Sequence, residues 1–225
     1  TIEFYRRNYI EGLFLSSAVE VSPDHTAERI LESLRLLRYK YGFSGYIHAK
    51  IIPGVSQELL HEIGLVADRL SVNIEMPTAR SLQAFAPQKK PKEIFTPMRQ
   101  ITNSLIERNS LKGPGNMFRG IAVNAPEHYL KGFSREIEEK DKAGSSWADS
   151  DTQDSITAVS SARPLSRNRR RQGEDFAPAG QTTQMIIGAG GETDQSILNT
   201  SESLYRTFKM KRVYYSAYVP VVDSP

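Results

Sequence analysis

The 225-residue sequence contains no cysteine. Its own residues can therefore form no disulfide, no thiolate nucleophile and no cysteine-held metal cluster. Long apolar runs are also absent, because the longest, such as residues 9–18, are too short to span a bilayer. The amino end shows no basic-then-apolar signal pattern. These absences predict a cytoplasmic protein with no membrane partner.

Metal ligands and strong charge are scarce as well. The four histidines, His25, His48, His61 and His128, show no metal-ligand spacing, so no histidine-bound metal is expected. A net charge of +3 is compatible with a polyanionic partner but falls short of a dense phosphate-binding surface. The 39% hydrophobic content is enough for one sizeable core or two small ones.

Short apolar segments alternate with helical patterns along the chain. Ser22, Pro23 and Asp24 give a cap, a first-turn proline and an acid at a predicted helix start, and Gly42 ends that helix. We predict strands at residues 10–17, 45–52, 69–75, 183–188 and 212–220, with further helices at 56–67, 78–109 and 194–208. This pattern predicts an α/β fold of repeated βα units.

Residues 111–178 interrupt the repeat with a polar, irregular stretch. We expect a long insertion, partly disordered, because it offers little apolar surface to offset the entropy of ordering. The units at 1–110 and 179–225 then form one barrel in two parts. Within the insertion an arginine run could contact a phosphate backbone, although acidic residues precede it and an internally charge-paired loop is the stronger reading. The run comprises Arg163, Arg167, Arg169, Arg170 and Arg171.

The second and third predicted strands are each polar on one face. Apolar Ile47, Ala49 and Ile51 alternate with Tyr46, His48 and Lys50, and apolar residues 70, 72, 74 and 76 alternate with Ser71, Asn73 and Glu75. An open doubly wound sheet would bury both faces under helices, so both would be apolar. A barrel or partial barrel, with a polar lumen and a site at the carboxyl ends of its strands, fits better. A lumen packed with satisfied polar groups remains the alternative.

Three features could carry chemistry at those strand ends. Residues 186–193 (IIGAGGET) put glycines between a strand and a helix, which allows close approach of a ligand, although a plain tight turn would look the same. Asn73 and Glu75, two apart, could hold the two hydroxyls of a ribose or could serve structural hydrogen bonds. His48 and Lys50 could act as proton donor or phosphate contact, or could be structural.

In this order the motifs resemble the radical S-adenosylmethionine (SAM) superfamily. The nearest likeness is to its subfamily assigned to DNA modification or repair and linked to a uracil-DNA glycosylase-like partner. The segments that carry the resemblance are YIEGLFLSS (9–17), GYIHAKIIPG (45–54), ADRLSVNIE (67–75), APQKK (86–90), PAGQTTQMIIGA (178–189) and KRVYYSAYVPV (211–221). The resemblance implies a partial TIM-type (β/α)6 barrel in which strands two to six are present.

The resemblance also implies a role for individual residues in binding SAM. Ser16 and Ser17 would hold its amino group, and Asn73 and Glu75 its ribose. The other implied contacts are Gly188, Gly190 and Glu192 beside the adenine, Tyr218 in the adenine pocket, and His48 and Lys50, both candidate catalytic residues, facing the carboxylate or the substrate.

The family's Cys-x3-Cys-x2-Cys loop, which binds a 4Fe–4S cluster, has no counterpart in these 225 residues. We therefore expect a fragment whose parent protein cleaves SAM to a 5′-deoxyadenosyl radical, with an electron donor, to modify or repair nucleic acid; the chain alone should be inactive. Two other functions stay open. One is a barrel enzyme acting on a phosphorylated metabolite, with residues 188–191 as the phosphate cradle and Lys50 or His48 as acid or base. The other is a non-catalytic nucleic-acid-binding module that uses the arginine run.

Overall fold

The computed structural model describes residues 1–111 and 175–220. Five strands and six helices are found there. The strands are β1 (Gly12–Leu15), β2 (Tyr46–Lys50), β3 (Arg69–Ser71), β4 (Gln181–Ile187) and β5 (Arg212–Ala217). The helices are α1 (Ile2–Arg6), α2 (Pro23–Arg35), α3 (Gln57–Val66), α4 (Ala79–Phe85), α5 (Pro91–Leu111) and α6 (Asp194–Phe208), with a π-helical turn (Leu36–Lys40) directly after α2.

The strands form one parallel sheet in the order β1-β2-β3-β4-β5, which is also their order along the chain. The sheet curls into a half-barrel, so the fold is mixed α/β as the sequence predicted. Because parallel neighbours need a crossover, each strand returns through helical or irregular chain before the next begins.

The two faces of the sheet differ in chemistry. Helices cover one face, where the strands bury apolar side chains such as Ile47, Ala49, Leu70 and Met185, each fully buried. The opposite, concave face carries the alternate residues of each strand, and on β2 these are Tyr46, His48 and Lys50. The alternation predicted for β2 is therefore confirmed.

Helix α2 begins as its cap predicts. The hydroxyl of Ser22 accepts from the His25 amide at 3.1 Å, and Pro23 occupies the first turn. The Asp24 carboxylate accepts from the Ser56 amide at 2.7 Å, which ties the start of α2 to the start of α3. Gly42, with φ of +63°, ends the turn that follows. The prediction for α6 is confirmed at both ends.

The long helix predicted at 78–109 is two helices. Chain between α4 and α5 contains Ala86, which has φ −143° and ψ 59°, and the following residue is Pro87. A proline disfavours helical backbone at the residue before it, so α4 ends there. Pro91 then opens α5, where its missing amide hydrogen costs no helical hydrogen bond.

Most of the predicted insertion, including the arginine run, lies outside the described residues. Its last residues, 175–178, are described and belong to the folded body. Phe176 is 3% exposed and stacks on His61 with ring centroids 5.5 Å apart, and the Ala177 amide donates to the Gly64 carbonyl at 2.7 Å. Phe176 is therefore part of the core, a few residues before β4 begins.

A buried ion pair joins the π-helical turn to the sheet. Arg38 donates to the Asp68 carboxylate at 2.6 Å, and both side chains are at most 9% exposed. The same guanidinium donates to the carbonyls of Val66, Phe43 and Gly45 at 3.1, 2.7 and 2.7 Å. Asp68 Oδ2 also accepts from the Ile47 amide at 2.7 Å. Because its charges are paired and hydrogen-bonded, the cluster satisfies the condition for burying them.

Replacing Asp68 with alanine should lower the free energy of unfolding by about 3–5 kcal/mol, because Arg38 would stay buried without its carboxylate. Urea unfolding followed by circular dichroism measures the change. The matched control is Glu62→Ala, which removes the carboxylate of the more exposed Arg35–Glu62 pair and should cost at most about 1 kcal/mol. Equal losses in the two variants would contradict the role given to Asp68.

Candidate functional site

The carboxyl ends of β3, β4 and β5 meet at one edge of the half-barrel, here called the rim. The Ile186 amide donates to the Glu75 carbonyl at 2.7 Å, and the Tyr218 amide donates to the Ile187 carbonyl at 2.9 Å. These bonds bring together Glu75, Gly188 and Tyr218, three of the residues predicted to bind a ligand. The rim is where parallel α/β folds place their ligands.

Strand β3 ends earlier than predicted, at Ser71, because the chain bulges before the rim. Ser71 pairs with Thr182, but Glu75 pairs with Met185, so one more residue lies on the β3 side than on β4. The Thr183 hydroxyl accepts from the Ile74 amide at 3.0 Å within the bulge. Glu75 adopts φ of +68°, outside the extended region, yet burial still alternates from Val72 to Met76, with Asn73 and Glu75 both partly exposed.

Asn73 and Glu75 also differ in their bonding. The Glu75 carboxylate is paired with the Lys89 ammonium at 2.5 Å, and its side chain is 18% exposed. The half-buried Asn73 amide makes no hydrogen bond to another described residue. Asn73 thus keeps its donors and acceptor available for a ligand, whereas Glu75 would have to share its carboxylate with Lys89.

The glycine turn after β4 is open on its outer side. Gly188 and Gly191 have φ of +85° and +69°, and a Cβ built on either would meet no atom within 4 Å. Their left-handed backbone favours glycine, while the space around them leaves the backbone accessible. A Cβ on Gly190 would come within 2.5 Å of Glu192 Oε1. The turn therefore needs small residues and offers bare backbone to a ligand.

Helix α4 braces this turn. Glu192 Oε1 accepts from the Ser81 hydroxyl, and Glu192 Oε2 accepts from the Gly190 amide at 3.1 Å. At the other end of α4, the Phe85 ring lies 6.1 Å from the Tyr218 ring. Glu192 is thus engaged in holding the turn, and the aromatic pair forms a wall at the end of β5.

Ser16 and Ser17 lie away from this cluster. They follow β1, which β2 and β3 separate from β4. Both are exposed, and the Ser17 hydroxyl donates to the neighbouring Ala18 carbonyl at 2.8 Å. Since Leu15 pairs with Ala49, Ser16 comes next to Lys50 at the end of β2. The structure therefore places the two serines near Lys50, at the end of β2 and outside the rim.

His48 lies deeper on the concave face than Lys50, which ends β2. Its ring packs edge-on against Phe14 with centroids 4.8 Å apart, and its Nε2 is buried without a hydrogen-bond partner among the described residues. Burial, assisted by the nearby charge of Arg69, lowers the pKa of His48 to about 4. The imidazole is therefore neutral at pH 7 and can donate or accept one hydrogen bond.

Concave-face residues on β3, β4 and β5 were missed by the sequence reading. Register places Thr182 beside Ser71 and Arg212, and Arg69 beside His48. Burial raises the pKa of the Tyr46 phenol, and the charge of Arg69 opposes this effect. Asp68 and Tyr214 add to the rise, and Arg212 opposes it. The predicted strand began at Thr183, whereas β4 begins at Gln181. A predicted strand beginning at Gln181 would have included Thr182 among the residues that alternate between the two faces.

The groups at the rim are of the kinds that contact a nucleoside, and none of them is a ligand for an iron–sulfur cluster. Open glycine backbone, an unbonded amide and an aromatic wall suit a nucleoside. A cluster needs thiolates, and the chain has none. Within residues 1–111 and 175–220, no group of three or more His, Asp or Glu side chains could hold a metal ion.

Comparisons of the chain with protein-family models, with curated proteins and with solved structures return no match. The helices of the described part include none that combines the length and apolar character needed to cross a membrane. The motifs and the geometry of the rim are therefore the basis for a functional proposal.

The lowered pKa of His48 predicts a pH dependence of stability. Between its folded pKa of about 4 and its ordinary value of 6.5, the unfolded chain binds a proton at His48 that the folded chain does not. The free energy of unfolding should therefore fall as the pH is lowered through this window. Urea unfolding at pH 7 and pH 5 measures the loss for the natural chain and for His48→Gln.

Carboxylates also titrate in this range, so the difference between variants is the informative quantity. His48→Gln should lose less stability than the natural chain between the two pH values. His25→Gln, at an exposed histidine near the start of α2, should lose as much as the natural chain. The same loss in all three proteins would contradict the lowered pKa of His48.

Proposed function

We propose that this chain forms the SAM-binding part of a radical SAM enzyme, with β1–β5 corresponding to strands two to six of a partial TIM-type (β/α)6 barrel. The main support is the rim, where an open glycine turn and an aromatic pair lie together beside β3. The half-barrel sheet and its polar concave face are consistent with this assignment. The motif resemblance identifies the ligand as SAM.

Each rim residue has a role in this proposal. Gly188 presents backbone groups to the adenine, and Gly190 lies beside it with its amide held by Glu192. Tyr218 lines the same pocket with Phe85 against it. Asn73 binds a ribose hydroxyl, and Glu75, held by Lys89, orients the second. On the far side, Ser16 and Ser17 bind the amino group, with Lys50 and the deeper His48 toward the carboxylate or the substrate.

The reaction needs a 4Fe–4S cluster, and this chain has no thiolate to hold it. When bound, such a cluster with SAM would supply the radical chemistry for hydrogen abstraction from a substrate. We assign to this chain the binding and shielding of SAM, so the cysteines must come from residues outside this sequence. The resemblance extends the proposal to nucleic-acid modification or repair, with an electron donor and a uracil-DNA glycosylase-like partner.

Isothermal titration of the chain with SAM tests the proposal. Saturable binding is expected, and Asn73→Ala should weaken it by about tenfold, because one or two hydrogen bonds to the ribose are lost. Asn103→Ala, at an exposed position on α5, is the matched control and should bind SAM like the natural chain. Unfolding measurements on both variants check that neither has lost its fold.

Several outcomes would refute the assignment. Absence of SAM binding by the chain refutes SAM as its ligand, and equal affinity in Asn73→Ala and Asn103→Ala refutes the ribose role of Asn73. Displacement of SAM by phosphorylated sugars would favour the alternative of an enzyme acting on a phosphorylated metabolite at the glycine turn.

A further inference from the structure

Three buried polar atoms without hydrogen-bond partners lie on the concave face. They are His48 Nε2, Arg69 Nε and Thr182 Oγ1. Thr182 is 1% exposed, so its hydroxyl is almost fully removed from solvent. A buried polar group without a partner costs about 1–3 kcal/mol, so such groups are uncommon in folded proteins and call for an explanation.

Two guanidinium groups on this face have no acidic partner. Arg29, Arg35, Arg38 and Arg206 each pair with a carboxylate, whereas neither Arg69 nor Arg212 has one within 4.0 Å among the described residues. The five strands contain no aspartate or glutamate at all. The five strands therefore carry no acidic side chain that could balance the positive charges of Arg69 and Arg212.

Both arginines are close enough to act on one ligand. Arg212 pairs with Thr182 and Thr182 with Ser71, two residues after Arg69. From strand spacing and rise, the Cα atoms of Arg69 and Arg212 are roughly 12 Å apart, a gap that two extended arginine side chains can close around one ion. Both charges also act on the same Tyr46 phenol.

The existing contact of Arg69 leaves its hydrogen-bonding edge available. Its guanidinium carbon lies 5.8 Å from the Tyr46 ring centroid, and its N–H groups make no hydrogen bond to another described residue. The N–H donors point along the edge of the plane, and Nε is the buried one without a partner. A planar fork of donors matches the oxygens of a phosphate in a bidentate arrangement.

We propose that Arg69, Arg212 and the Thr182 hydroxyl form a binding site for a phosphate-type oxyanion on the concave face of the half-barrel. Two guanidinium groups balance its charge, and the hydroxyl donates a further hydrogen bond. Neutral His48 and the phenols of Tyr46 and Tyr214 lie around the site. Thr182 precedes Gly188 by six residues, roughly 20 Å of strand, so this site is separate from the glycine turn. His48, which the proposed function places toward the carboxylate or the substrate, pairs with Arg69 and adjoins both sites.

Titration with inorganic phosphate, followed by calorimetry on the full chain, tests the site. Arg212→Gln, at an exposed residue, should weaken phosphate binding by tenfold or more. Thr182→Val keeps the side-chain shape and should weaken it about fivefold to tenfold, with no loss of stability, because the hydroxyl has no partner in the free protein. Arg206→Gln on α6 is the control and should bind phosphate like the natural chain.

Two further binding experiments identify the kind of molecule that carries the oxyanion. Binding of a short single-stranded oligonucleotide that is weakened by Arg212→Gln and by added phosphate would assign the site to a nucleic-acid backbone. Binding of phosphomonoesters without the oligonucleotide would assign it to a small molecule. Absence of saturable phosphate binding, or equal affinity in Thr182→Val, Arg212→Gln and Arg206→Gln, would overturn the proposal. If phosphate still binds when SAM is bound, the phosphate site and the SAM site are distinct.

Discussion

The ion pair between Arg38 and Asp68 sets the geometry on which the concave face depends. One carboxylate oxygen accepts from both the Arg38 guanidinium and the Ile47 amide. The π-helical turn after α2 is thereby fixed to the start of β2 and to the residue that precedes β3. Because Arg69 follows Asp68 directly, the same contact fixes its pairing with His48. A structural pair on the helix-covered side thus determines which polar groups meet on the other side.

The two faces of the sheet have different roles, because one packs against the helices and stabilises the fold while the other carries the polar groups available for binding. Apolar strand residues pack under the helices, and the buried Gln181 Nε2 there donates to the Thr102 hydroxyl and to the Phe208 carbonyl, while Gln181 Oε1 has no partner among the described residues. Five buried side-chain atoms of the described residues have no hydrogen-bond partner, and three of them, on His48, Arg69 and Thr182, lie on the concave face. Helix α4 contacts the rim and joins the glycine turn to the end of β5.

Local signals predicted the parts of the fold that local chemistry decides. The cap at Ser22 gave the start of α2, and the alternation from Tyr46 to Lys50 gave the two faces of β2. The bulge in front of Glu75 was not predictable in this way, because the hydroxyl that fills it belongs to Thr183, which is 109 residues from Ile74 in sequence. Thr182 was missed for a similar reason. Gln181 and Thr182 are adjacent polar residues and look like part of a loop in the sequence. Only the contacts of Gln181 with α5 and of Thr182 with β3 show that both are buried in a strand.

The acid-free strands also bear on how fast a ligand arrives. Arg69, Arg212 and Lys50 project a positive potential from a concave surface with low-dielectric walls, and such a shape concentrates field lines at its opening. Anions would be drawn in before any contact forms, and added salt would slow their approach far more than their departure. The curvature of the sheet and the absence of acidic residues from its five strands are the two features from which such steering of an anion would arise.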